Sequence, residues 1–78
     1  MKVLCDLHEG ESAVIRQLHL QGSILRRLQD LGLICGTCVT CCKIAPGGTP
    51  IAYQFRGSMI ALRRSDTRRI EIEPCPNA

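Results

Sequence analysis

Aromatic residues are almost missing from this chain: no Trp, one Tyr and one Phe in 78 residues. A core must therefore be assembled from Leu, Ile, Val, Ala and Cys. The same scarcity weighs against a single-stranded nucleic-acid binder, which stacks bases on aromatic rings set among basic residues. A net charge of +3 is too small to point to nucleic acid by itself. The basic residues do come in doublets, Arg26-Arg27, Arg63-Arg64 and Arg68-Arg69. With Glu and Asp nearby, these read first as solvated faces, and no nucleic-acid partner is expected.

Long apolar runs are missing as well. Nothing approaches the roughly 20 residues that a membrane-spanning helix needs, so no direct membrane insertion is expected. The opening MKVLCDLHEGE turns acidic within a few residues. It lacks the apolar centre and small-residue cleavage site of a secretory signal. A reducing cytoplasm is the expected compartment, where cysteines are free thiols or ligands rather than disulfides. No Ser–His–Asp arrangement or pair of catalytic carboxylates stands out. His8 and His19 are too separated to suggest a site. Gly47-Gly48 lacks the following Lys-Ser/Thr and helix of a phosphate loop. No enzyme is expected.

What is present reads as one small folded domain over residues 1–78, with 73–78 as a loose tail. A hydrophobic fraction of 45% with 22% charged residues is ordinary for such a domain. A chain this short buries only about 60% of its unfolded surface, so a metal, a partner or idealised packing has to help it. Val3-Leu4 predicts an edge strand and His8 to Glu11 a turn. Ser12 to Leu20 predicts a strand with a bulge, because Ala13 and Ile15 are out of step with Leu18 and Leu20. Ile24, Leu28 and Leu31 fall at helical spacing, giving a short amphipathic helix over about residues 23–31. Gly22 or, better, Ser23 is its expected N-cap, and Gly32 its left-handed C-cap.

Further strands are expected from Thr37 to Ile44, Ile51 to Phe55, Met59 to Leu62 and around Ile70 and Ile72, the last ended by Pro74 and Pro76. Ala45 to Pro50 is a turn marked by Pro and Gly. Arg56 to Ser58 is a tight connection, and Ser65 to Thr67 a turn or a single helical turn. Five or six short strands with one helix predict a mainly β protein, a small closed or partly open barrel, since closure hides sheet edges.

The cysteines admit two readings. Cys35, Cys38, Cys41 and Cys42 are spaced like zinc or iron–sulfur ligands. Yet Cys38 to Cys42 falls in a predicted strand, where successive side chains point to opposite faces. Cys38 and Cys42 then share one face, and Cys41 joins Val39 on the other. Packing as small hydrophobes is the preferred reading. If a metal binds, Cys35 and Cys38 are the better pair, since Gly36 loosens the backbone between them; Cys38 with Cys42 is a weaker one. Cys5 and Cys75 can approach if the terminal strands pair.

Arg26-Arg27-Leu28, Leu31-Gly32-Leu33, Gly36 and Ala45-Pro46-x-Gly48-x-Pro50, in that order, resemble the FeoA family. Gly10-Glu11-x-Ala13-x-Ile15-x-x-Leu18, Arg56-Gly57 and Ile60-Ala61-Leu62-Arg63 extend the likeness from about Leu7 to Ile72. The resemblance implies an SH3-like barrel with a helix inserted after the second strand. It implies a non-enzymatic cytoplasmic accessory of FeoB, a membrane ferrous iron transporter with a GTP-binding domain. Such domains also end metal-dependent repressors, but no helix-turn-helix precedes this one, so it resembles the stand-alone form. The family has no required cysteine cluster, which leaves these thiols without an inherited role.

The expected partner surface is the helix with Arg26 and Arg27, together with the turn formed by Ala45, Pro46, Gly47, Gly48 and Pro50. No cofactor is required. Two alternatives stay open: a thiol-based sensor or binder of iron or zinc, with Cys35, Cys38 and Cys42 as candidate ligands, and a nucleic-acid-binding barrel using the Arg doublets. Self-association into a homo-oligomer also stays open.

Overall fold

A computed structural model describes residues 2–75. In chain order the strands are β1 (Lys2–Val3), β2 (Ser12–Leu18), β3 (Cys38–Ile44), β4 (Ile51–Phe55), β5 (Ser58–Leu62) and β6 (Ile70–Glu73). Helix α1 (Gly22–Leu31) lies between β2 and β3, and the single turn α2 (Arg64–Thr67) between β5 and β6. All six strands form one antiparallel sheet in the order β1-β6-β2-β3-β4-β5. The fold is mainly β, with the helix after the second strand, as the sequence predicts. Of the predicted tail, Glu73 belongs to β6, and residues 76–78 lie outside the described residues.

The core follows the period of two. Ala13 and Ile15 of β2, Val39 and Cys41 of β3, Ile51, Tyr53 and Phe55 of β4, Ile60 and Leu62 of β5, and Ile70 and Ile72 of β6 are all buried. Alternation of this kind places every second side chain of a strand on the inner face. Leu4, on the 3-10 turn Leu4–Asp6, enters the same core. Its carbonyl accepts a 3.4 Å hydrogen bond from the Tyr53 hydroxyl, so the buried phenol has a partner. Burial is the main reason the Tyr53 hydroxyl is held protonated well above its ordinary range.

The predicted bulge in β2 is present: its register against β6 shifts between Ile15 and Gln17. The strand ends at Leu18, two residues short of Leu20, and His19 turns outward to Glu71 at 2.8 Å. A second bulge was not legible in the sequence. It lies in β3, whose register against β4 shifts between Cys41 and Lys43, leaving Cys42 as the extra residue.

Two expectations for α1 need correction. Neither Gly22 nor Ser23 is the N-cap; Gln21 is, with no side-chain hydrogen bond to the helix. Gly22, the first residue of the helix, takes φ 71°, a left-handed conformation open to glycine. Leu31 is also not part of the core but 43% exposed. Leu28 is the buried anchor, with Ile24 and Leu25 half-buried against the core. The far end behaves as predicted. Gly32 is left-handed, its amide bonds to Gln29 O at 3.0 Å, and Leu33 N donates to Leu28 O at 2.9 Å. That pair of bonds satisfies orphan carbonyls of the last turn.

Candidate functional site

The two surfaces singled out in the sequence, α1 and the Ala45–Pro50 turn, meet a third element. Arg26 and Arg27 are exposed on α1 and line a shallow groove with Gly22, Ser23, Asp30 and Leu31. Arg27 also lines a cleft between α1 and the sheet, shared with Ile24, Ile60, Leu62, Arg63 and Asp66. Arg63 in turn borders a hollow with Thr49, Pro50, Arg64 and Ser65. The start of α2 therefore bridges the helix groove and the turn, and a basic face runs from Arg26 and Arg27 to Arg63 and Arg64.

The turn itself is built on backbone bonds. Ala45 N donates to Pro50 O at 3.1 Å and Gly48 N to Ala45 O at 2.9 Å, with a cis peptide between Thr49 and Pro50. Arg64 clips it to α2. Its Nε donates to Gly48 O at 3.1 Å, and its backbone N–H donates to Thr49 Oγ1 at 3.3 Å. Arg63 and Arg64 were readable as a basic doublet, and Arg63 as the end of the Ile60-Ala61-Leu62-Arg63 run; that they join the two predicted surfaces is a product of the fold. Their signal in the sequence was the Leu62-Arg63-Arg64 run directly after a strand.

Among the described residues, carboxylate contacts with basic side chains are confined to hydrogen-bonded His8 with Glu11 at 3.0 Å and His19 with Glu71 at 2.8 Å. No arginine takes part in one, so no salt-bridged carboxylate offsets the guanidinium charge of this face. The His8 backbone amide is the chief reason the Glu11 carboxyl sits below its ordinary range. The chain's two aromatic side chains, Tyr53 and Phe55, are both buried. The arginines thus have no ring beside them on which a base could stack.

The thiols disperse much as strand alternation requires. Cys41 is fully buried beside Val39, and its burial pushes the thiol up, with the charge of Glu9 second. Cys42, on the β3 bulge, turns its sulfur to Thr40 O at 3.7 Å and Gln54 Oε1 at 3.8 Å. Cys35 is exposed in the loop before β3. Among the described residues, no three Cys, His, Asp or Glu side chains converge as a metal-ligand set. The strands β1 and β6 do pair, Lys2 with Ile72 and Val3 with Glu71, yet the sulfur contact of Cys75 is with Cys38, at 3.6 Å, and not with Cys5. Nothing local in the sequence could have announced a pair 37 residues apart.

Taken together, these features define a small SH3-like barrel with an inserted helix and a basic outer face. The chain belongs to the FeoA family: the FeoA domain matches residues 2–74. It is 33% identical over 70 residues to the "Fe(2+) transport protein A/Fe(2+) transporter FeoB fusion protein" of Porphyromonas gingivalis, an alignment covering 90% of this chain and 8% of that protein. The chain thus spans only a small part of the fusion protein's length.

Among solved structures, the FeoA protein of Chlorobium tepidum superposes with a TM-score of 0.92 at 27% identity, covering 99% of this chain and 73% of that one. FeoA of Stenotrophomonas maltophilia, complexed with zinc and described as a prokaryotic SH3 domain protein, superposes at 0.81 with 31% identity, covering 94% and 91%. Among the described residues, no helix is long and apolar enough to cross a membrane.

Proposed function

We propose that this domain is a non-enzymatic accessory of ferrous iron uptake that docks on the cytoplasmic part of FeoB. The observation carrying this reading is the fusion in the P. gingivalis relative, where a segment 33% identical to this chain shares a polypeptide with the transporter. Fusion keeps two modules at high effective concentration, which is useful when they act together. The docking surface is the arginine face: Arg26 and Arg27 on α1, Arg63 at the N-cap of α2 and Arg64 on α2, and the Ala45–Pro50 turn that Arg64 holds. Its grooves combine unpaired guanidinium groups with the apolar edges of Ile24, Leu31 and Pro50, the mixture found in interface patches. Calorimetric titration of this protein into the FeoB cytoplasmic portion, with nucleotide and ferrous iron present, should give saturable binding. A flat titration under those conditions counts against the reading.

A second reading, thiol-based binding of iron or zinc, is favoured by the zinc complex of the S. maltophilia relative and by the adjacency of Cys38 and Cys75. Thiolates suit such ions, but two sulfurs leave other positions of a metal to outside ligands. Anaerobic titration with zinc or ferrous ion should then give stoichiometric uptake that Cys38→Ser abolishes. No uptake removes this reading.

A further inference from the structure

We propose that Cys38 and Cys75 form a redox-active dithiol, a modification site that closes to an intramolecular disulfide when the protein meets a hydroperoxide. Both side chains are free thiols, Cys38 exposed and Cys75 half-buried, and their sulfurs lie 3.6 Å apart. The arrangement is not a consequence of neighbouring strands. Strands β3 and β6 flank β2 on opposite sides, and Cys38 and Glu73 are both registered on Val14. Val14 faces away from buried Ala13 and Ile15. The contact therefore requires the segment Pro74-Cys75 to lean across the outer face of β2 until its thiol reaches β3. The chain leaves β6 and comes back over the sheet to make one sulfur contact.

The chemistry balances without outside groups beyond the oxidant. The exposed Cys38 thiol yields its proton to water and its sulfur attacks the peroxide oxygen. The O–O bond breaks, the leaving alkoxide or hydroxide takes up a proton to become alcohol or water, and Cys38 becomes a sulfenic acid. The Cys75 sulfur attacks the Cys38 sulfur, the S–O bond breaks, and the hydroxyl departs as water with the Cys75 proton. Two thiols and one hydroperoxide give one disulfide, one alcohol and one water, and the two sulfurs have passed two electrons to the peroxide. The hydrogen bond between the thiols is the main cause of a raised pKa at Cys75. Intracellular disulfides of this kind are transient and regulatory rather than structural.

Closure has a physical consequence. Pro74 and Cys75 form one wall of a hollow of about 350 Å³, lined also by Leu7, Ser12, Ala13 and Ile72. The disulfide fixes that wall and joins residues 37 apart in sequence, which removes a long loop's freedom from the unfolded chain. The residues lining this hollow are not those of the arginine face, so the inference stands apart from docking on FeoB.

The test exposes the reduced full chain to one equivalent of hydrogen peroxide and maps the product by mass spectrometry. The expected product is a monomer that has lost two hydrogens, with a Cys38–Cys75 cross-link reversible by dithiothreitol. Its Tm should rise by on the order of 10 °C. In Cys75→Ser the reaction should stop at a sulfenic acid on Cys38, trapped by dimedone. Cys35→Ser/Cys42→Ser should still form the cross-link. Bonds scattered over Cys35 and Cys42, a disulfide-linked dimer as main product, or over-oxidation of Cys38 without a cross-link would each overturn the assignment.

Discussion

Cys41 is fully buried on β3, with its backbone N–H bonded to Glu11 O at 2.9 Å and its carbonyl to Gly10 N at 2.7 Å. Its sulfur is left to pack inside the barrel, in a slot that a small apolar side chain fills equally well. Cys41→Val conserves shape and apolarity and should cost less than about 1.5 kcal/mol. Cys41→Ser places a hydroxyl in that slot, and a buried hydroxyl without a partner should cost about 1–3 kcal/mol. Urea unfolding of the two variants checks the order. If valine is the more damaging, the thiol is contributing something other than apolar volume. Cys38 offers the contrast on the same strand. Three positions away and on the other face, it meets a thiol and not a core, so identical residues divide into packing and chemistry by parity alone.

Helix α1 is held at its C-terminal end more firmly than at its start. At the start, Gln21 gives no side-chain cap; at the end, the bonds to Leu28 and Gln29 carbonyls and the fully buried Leu33 fix the exit. A helix of this length is marginal without such help. Gly32 has φ 98°, and an added Cβ would meet only Arg56 Cδ at 3.5 Å, an ordinary contact. Gly32→Ala should therefore lose about 1–2 kcal/mol through backbone strain alone, seen as a lower Tm with an unchanged strand signature by circular dichroism. A neutral outcome would mean that the helix exit can relax at no cost.

The same elements show what was legible. Alternation in Ile51, Tyr53 and Phe55, and in Ile60 and Leu62, marks the core directly, because a period of two is local. The conflict between Ala13/Ile15 and Leu18/Leu20 announces the β2 bulge for the same reason. The β3 bulge gives no such sign, since Cys, Thr and Lys side chains do not declare which face they occupy. The meeting of Cys38 with Cys75, and of Arg63 with both α1 and the turn, depends on how distant strands register. Pairings of that kind leave no mark on a local stretch of sequence.

At the scale of the whole molecule, four of the ten basic residues gather on one face. Arginines from α1 and the start of α2 converge on one side, held around the turn by Arg64, while the hollow walled by Pro74 and Cys75 lies against β1, β2 and β6. A protein that recruits a partner through such a face gains orientation and association rate from the charge, and its binding weakens with salt. Arg27 and Arg63 line the same cleft, so reversing both places repulsion at its centre. Arg27→Glu/Arg63→Glu should weaken binding to the FeoB cytoplasmic portion by about tenfold or more, which is about 1.4 kcal/mol. Both side chains are exposed, so unfolding transitions should stay near wild type. Lys2→Glu/Arg16→Glu, both exposed and outside these grooves, serves as the charge-matched control and should leave affinity within about twofold. Equal loss in both variants would show that only net charge is being read, and the arginine face would then lose its claim to be the docking surface.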